Sequence, residues 1–133
     1  MKLKILPILL AVLLLGGCAS TNSMQDNSKD LTYKQISMNE AVELMESETN
    51  YIILDVRRSD EFASGHMPNA INIPNENIGE YEITELPNKD QLILVYCRSG
   101  NRSKQASEKL VKLGYTNIVE FGGINDWNGE IEK

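Results

Sequence analysis

Two short apolar runs restrict what this chain can fold into more than any other feature. Tyr51-Ile52-Ile53-Leu54, continued by Val56, and Leu92-Ile93-Leu94-Val95-Tyr96 are rich in β-branched residues and of strand length. A continuous run of this kind marks a strand buried on both faces, as strands of a parallel sheet are. The stretches around them carry a helical period instead. Ser37 with Glu40 three residues on makes a capping box. Met38, Ala41, Val42 and Met45 then lay one apolar stripe along a helix. Ser59 to Ser64 suits one or two helical turns, with Gly65 placed to end them. Ala106, Leu110 and Leu113 form the apolar face of a further helix, Lys104, Glu108, Lys109 and Lys112 its other sides, and Gly114 its close.

Three shorter strands complete the pattern: Tyr33 to Ile36, Ala70 to Ile73 before Pro74, and Asn117 to Phe121. Asn75 to Lys89 reads as irregular with one helical turn, and Gly122-Gly123 reads as a turn before a short element carrying Trp127. Strands alternating with helices predict an α/β fold with a central, mainly parallel sheet and helices on both faces. With 133 residues, 41% of them apolar and 24% charged, the chain has room for one ordinary globular domain, placed here at residues 33–133.

The first residues follow a different logic. Lys2 and Lys4 precede an almost unbroken apolar run from Leu3 to Leu15, with Gly16 and Gly17 after it. That is the basic, apolar and small-residue order of a secretory signal, expected at residues 1–17. The run is short for a helix crossing a hydrocarbon core of about 30 Å. Leu15-Gly16-Gly17-Cys18 resembles the bacterial lipobox, which makes Cys18 the expected lipidation site. The segment after Cys18 up to Thr32 is polar and too poor in apolar residues to fold, so residues 18–32 read as a lipidated Cys and a flexible tether. The expected location is an exported lipoprotein on the extracytoplasmic face of the cell membrane, or in the periplasm if an outer membrane exists.

Without residues 1–17, 11 basic residues face 19 acidic ones, a net charge of −8. Such a domain does not attract nucleic acid or anionic lipid through its field, so membrane attachment falls to the acyl chains. Cys18 and Cys97 are the only cysteines. Once Cys18 is lipidated, one unpaired thiol remains in a compartment where thiols usually pair, which marks Cys97 as reactive.

Ligands in parallel sheets bind at the carboxyl ends of the strands, where a loop enters a helix. Cys97 stands at that place, followed by Arg98-Ser99-Gly100-Asn101-Arg102-Ser103. The N–H groups of the loop and of the first helical turn converge there, and the helix dipole favours negative charge. Arg98 and Arg102 add positive charge, Gly100 permits a sharp turn with positive φ, and Ser99 and Ser103 offer hydroxyl donors. All of these stabilise a thiolate.

Tyr96 to Ser103 resembles the active-site loop of the rhodanese family. Two further motifs occur in order. Leu54-Asp55-Val56-Arg57 leads to Glu61-Phe62 and Gly65-His66-Met67-Pro68-Asn69-Ala70-Ile71-Asn72-Ile73-Pro74, and Gly122-Gly123-Ile124-Asn125-Asp126-Trp127 stands near the end. Asn69 departs from the family, which commonly has Gly there. The resemblance implies the rhodanese-like fold and a sulfurtransferase acting through a Cys97 persulfide, with Arg98 to Ser103 holding the substrate. The donor would be a small anion such as thiosulfate, and the acceptor cyanide, a thiol or a partner protein. No cofactor or metal is implied.

Asp55 and Arg57 are expected to support the site as an ion pair or loop-fixing element. His66 is expected as a hydrogen-bonding part of its turn and Trp127 as packing. Glu40, Glu43, Glu46 and Glu48 are read as a solvated helix face. Two alternatives stand beside the sulfurtransferase. Cys-dependent phosphatases and arsenate reductases share the fold but place five residues between Cys and Arg, whereas four separate Cys97 from Arg102. A persulfide carrier or regulatory binding module on the same scaffold is the non-catalytic alternative.

Overall fold

The computed structural model describes residues 32–133. The expected signal peptide, Cys18 and all of the tether but Thr32 lie outside the described residues. Five strands alternate with three α-helices: β1 (Lys34–Gln35), α1 (Met38–Ser47), β2 (Tyr51–Asp55), α2 (Ser59–Ser64), β3 (Ile71–Asn72), β4 (Leu92–Cys97), α3 (Asn101–Lys112) and β5 (Ile118–Gly123). All strand pairings within the sheet are parallel, and the sheet order is β1-β5-β4-β2-β3. The two apolar runs are the neighbouring strands β2 and β4, paired from Tyr51–Leu92 to Asp55–Tyr96.

The side-chain alternation of β4 shows how both faces are covered. Ile93, Val95 and Cys97 join Leu54, Val56, Ala106, Leu110 and Ile118 in a core layer under α3. Leu94 and Tyr96 join Ile53, Val119, Phe121 and Ala41 in a second layer on the opposite face. Each fully buried aliphatic side chain contributes roughly 1.5–3 kcal/mol, so the two layers together supply the main drive to fold. The capping box of α1 is formed: Ser37 Oγ accepts the Glu40 N–H at 3.1 Å, and Glu40 Oε2 accepts the Ser37 N–H at 2.7 Å.

Two local features differ from the sequence-based expectation, the length of the outer strands and the place of Gly122-Gly123, while the expected irregular stretch after β3 is present and adds to the core. The outer strands β1 and β3 are only two residues long. Residues 73–91, irregular apart from a 3₁₀ turn at Asn75–Asn77, send Ile78, Ile83 and Leu86 into the α3-side core. Gly122-Gly123 is the end of β5, not a turn beyond it, because Gly123 pairs with Cys97 through a register shift between Val95 and Cys97.

This topology sets the site. After β2 the chain goes outward to β3, then returns to the other side of β2 as β4 and continues to β5. The carboxyl ends of β2 and β4 therefore flank the point where the strand order reverses, the usual ligand crevice of open parallel sheets.

Candidate active site

Cys97 is the last residue of β4, and α3 begins four residues later. Between them Gly100 stands at the N-cap position of α3 with φ +113°, a conformation glycine enters without strain. The tight turn brings the Gly100 N–H to 3.0 Å from Cys97 Sγ, and Ser103 Oγ lies 3.4 Å from the same sulfur. The side chain is all but inaccessible, at 1% exposure, beneath exposed Arg98 and Ser99. Burial pushes the Cys97 thiol up. Against it, the Ser103 hydroxyl and the N–H groups of Ser103, Gly100 and Ser99 pull it down and prevail, leaving it below the ordinary value of a free thiol.

The end of β5 holds this loop from below. A Cβ on Gly123 would stand 2.0 Å from the Arg98 carbonyl oxygen and 2.5 Å from the Ser99 nitrogen, so only glycine lets the two backbones approach this closely. The Asn125 N–H adds a 3.2 Å hydrogen bond to the same Arg98 carbonyl. The Gly122-Gly123 motif thus belongs to the cradle although it lies more than twenty residues away in sequence.

The expected binding residues divide into three sets. Cys97, Gly100 and Ser103 meet at the sulfur, with Ser99 contributing its N–H. Arg98 and Asn101 are exposed at the mouth. Arg102, expected on the anionic substrate, is engaged by a carboxylate from α2. Its Nη1 donates to Glu61 Oε2 at 2.6 Å and its Nη2 to Glu61 Oε1 at 3.0 Å. This two-point pair holds the Glu61 carboxyl at about 2, well below the usual carboxylate range. Glu61 was visible only as part of a motif; its partner becomes evident once α2 and α3 are placed.

Asp55 and Arg57 form the expected ion pair at the end of β2. Asp55 Oδ2 accepts from Arg57 Nη2 at 2.7 Å, Asp55 Oδ1 accepts the Arg57 N–H at 2.9 Å, and both residues are buried. Arg57 Nη2 also reaches the Gly65 carbonyl at 2.7 Å, tying the strand end to the turn after α2. None of these bonds reaches the sulfur. His66 belongs to that turn as well. Its ring stacks on Phe62 at 3.7 Å, Nδ1 lies 3.0 Å from the Phe62 carbonyl, and its backbone bridges to Glu132. Asn69, the departure from the family motif, has φ +64°, which explains a Gly preference there and why Asn serves in its place. Trp127 packs in the second core layer, and its Nε1 donates to the Glu130 carbonyl at 2.9 Å.

A buried carboxylate completes the surroundings. Glu120 of β5, 3% exposed, accepts the Ser103 hydroxyl at 2.6 Å and the Gly122 N–H at 2.9 Å, both on Oε1. Sequence reasoning passed over it, although an acidic residue inside the apolar run Ile118-Val119-Glu120-Phe121 was the available signal. A groove of about 560 Å³ lies elsewhere, at the opposite ends of the strands, lined by residues such as Lys34, Leu44, Asn50, Leu92 and Asn117. Among the described residues no group of His, Cys, Asp and Glu is assembled to hold a metal ion.

A loop of N–H donors closing on a cysteine at the end of the central strand can be compared with known proteins directly. The model of the rhodanese-like domain matches residues 37–130. The chain belongs to the rhodanese-like domain family. It is 38% identical over 73 residues to the thiosulfate sulfurtransferase PspE of Escherichia coli, a match covering 55% of this chain and 70% of that protein. It is 33% identical over 93 residues to the adenylyltransferase and sulfurtransferase uba4 of Ogataea parapolymorpha, covering 69% of this chain but only 24% of that much longer protein. A solved rhodanese with anions from E. coli superposes with a TM-score of 0.57 at 35% identity, covering 62% of this chain and 98% of the other. The all-parallel five-stranded sheet with helices around it is the rhodanese fold.

Proposed function

We propose that this rhodanese-like chain is a sulfurtransferase that carries sulfane sulfur on Cys97 as a persulfide. The observation that carries the reading is the Cys97 sulfur seated at the N-terminus of α3, 3.0 Å from the Gly100 N–H and with its thiol lowered despite burial. The thiolate attacks the outer sulfur of thiosulfate, a new S–S bond forms to Cys97, and the donor S–S bond breaks with its electron pair leaving on sulfite. A nucleophilic acceptor, cyanide or a thiol, then attacks the outer sulfur and Cys97 departs as the thiolate. The N–H groups that lower the thiol are the same ones available to the anionic persulfide, so both covalent states of the cysteine are stabilised by fixed donors. PspE, a thiosulfate sulfurtransferase by name, and the anions in the related E. coli rhodanese structure support an anionic donor. The four-residue spacing between Cys97 and Arg102, and the tie of Arg102 to Glu61, speak against phosphate-ester chemistry.

Intact-mass analysis tests the reading. Thiosulfate should add the mass of one sulfur atom, which cyanide should remove, and Cys97→Ser should gain nothing. A wild-type protein that never acquires the sulfur would overturn it in favour of a binding module. The proposed cellular setting is a membrane-anchored lipoprotein exported by residues 1–17 and attached through Cys18, supported by the lipobox-like Leu15-Gly16-Gly17-Cys18. Cys18→Ala should leave an unprocessed or released protein on fractionation; a mutant of normal size in the membrane fraction would contradict it.

A further inference from the structure

The hydroxyl of Ser103 has a single proton and more than one acceptor around it. Cys97 Sγ lies 3.4 Å away on one side and Glu120 Oε1 2.6 Å away on the other, with the Gly100 carbonyl at 2.9 Å. A serine hydroxyl donates once, so Ser103 can serve the sulfur or the carboxylate but not both at the same time. The two distances also place the two acidic atoms within 6 Å of each other. Among the described residues no cation stands within salt-bridge reach of Glu120. A buried carboxylate without a cation, sharing its donor with a nucleophilic sulfur, is more than packing requires.

We infer that Glu120 is a positioning residue that sets the charge state of Cys97 by competing with it for the Ser103 proton. When Glu120 holds that proton, Ser103 turns a lone pair toward the sulfur and accepts from the thiol, so Cys97 stays protonated. When Cys97 ionises, Ser103 turns its proton to the sulfur and Glu120 keeps only the Gly122 N–H. The loop amides, and the Ser103 hydroxyl whenever its proton faces the sulfur, pull Cys97 toward the thiolate, and Glu120 opposes them by drawing that proton away. The opposition keeps the sulfur basic enough to attack a donor, because the nucleophilicity of a thiolate falls as its pKa falls.

The other charged or titratable groups around this pair come from every neighbouring element. Arg98 stands in the loop, and Arg102, bound to Glu61 of α2, lies near enough to sense the charge on Cys97. Tyr33, ahead of β1, lies near both Glu120 and Glu108 of α3; its phenol is pushed up by its own burial first and then by these two carboxylates. All of them remain in place when Glu120 alone is changed, so the comparison isolates its carboxylate.

The test is the pH dependence of iodoacetamide alkylation in the full chain, read by mass spectrometry on the Cys97 peptide. In Glu120→Gln the amide oxygen still accepts from Ser103 and Gly122, but the charge is gone. The half-point for Cys97 should move down by about one pH unit, making alkylation about tenfold faster at pH values below it. A half-point that stays or moves up overturns the inference. A second measurement needs no substitution. With carboxyl-13C glutamate in the wild-type protein, the Glu120 signal should show an inflection where Cys97 ionises, and that inflection should vanish once Cys97 is alkylated. An inflection that persists after alkylation, or that is absent before it, overturns the inference as well. Neither measurement uses a sulfur donor, so both stand apart from the proposed function. The consequence for transfer does rest on that function: in Glu120→Gln the limiting rate of thiosulfate loading at high pH should fall about threefold.

Discussion

The carboxyl ends of β2 and β4 lie side by side in the sheet, and each presents a buried acidic group with an arginine shortly after it. At β2 the group is Asp55 with Arg57; at β4 it is Cys97 with Arg98 and Arg102. The two ends use their hydrogen-bonding capacity in opposite ways. Asp55 is closed on Arg57 by side-chain and backbone donors, and Arg57 spends its remaining reach on the Gly65 carbonyl. Asn72 Nδ2 finishes the knot by donating to the Asp55 and Arg57 carbonyls, both at 2.9 Å. Cys97 instead faces backbone N–H groups, and Arg102 is drawn away from it by Glu61. Chemistry becomes possible where the donors point at one atom that can exchange its partner, and rigidity results where every donor already has a fixed one.

The largest expected effect follows from the closed end. Asp55→Ala leaves the Arg57 guanidinium buried without a counter-charge, a change worth roughly 3–5 kcal/mol of stability. Urea unfolding should show it as a lower midpoint with an unchanged slope. In the fraction that remains folded, the apparent KM for thiosulfate should stay as it was. A loss below about 1 kcal/mol together with an altered KM would mean that the end of β2 belongs to the binding site, and the contrast between the two ends would fail.

A smaller effect separates the arginines at the open end. Arg98 is exposed at the mouth of the cradle, whereas Arg102 is committed to Glu61. Arg98→Ala should therefore raise the KM for thiosulfate about tenfold, the loss of one charge-assisted contact. Arg102→Ala should act mainly on stability, by freeing Glu61 and loosening the contact between α2 and α3. Steady-state kinetics on both variants checks the pair. If Arg102→Ala carries the KM effect and Arg98→Ala none, Arg102 reaches the donor by leaving Glu61.

Much of this arrangement could be read from the sequence, and the rest could not for a common reason. The buried strands, the capped α1 and the cysteine at a strand end followed by a glycine are local signals, each carried by neighbouring residues such as Tyr51 to Val56 or Cys97 to Gly100. The roles of Glu61, Glu120 and Gly123 depend on elements that meet only in the folded sheet. Glu61 finds Arg102 41 residues away, and Glu120 finds Ser103 17 residues away. Two adjacent glycines suit a turn, but the actual constraint on Gly123 is the Arg98 backbone lying against it. The same non-locality affects Arg102, whose proximity to Cys97 in sequence suggested a substrate contact that Glu61 pre-empts.

The smallest expected effect concerns acid, and it sharpens the comparison by titrating one partner of the Arg102 pair. Hydrogen bonds from Arg102, strengthened by the Arg58 N–H and the charge of Arg102, hold Glu61 at about 2 in the folded protein. In the unfolded chain the same carboxyl titrates near its ordinary value, roughly 4.3. Because the folded pKa is the lower one, the unfolded state binds the proton first, so stability falls as pH falls. The contribution is fully present above about pH 5 and is lost progressively from there to about pH 2. Glu61 is partly exposed, at 18% of its side chain, so solvent screening keeps the pair to about 1 kcal/mol. Glu61→Gln should remove this dependence: variant and wild type should differ in urea midpoint at pH 6 and converge toward pH 2.5. Arg102→Gln should give the same convergence. Curves that stay parallel over that range would show that the pair adds nothing to folding, and Arg102 would then be free for the role at the donor that its position beside Cys97 first suggested.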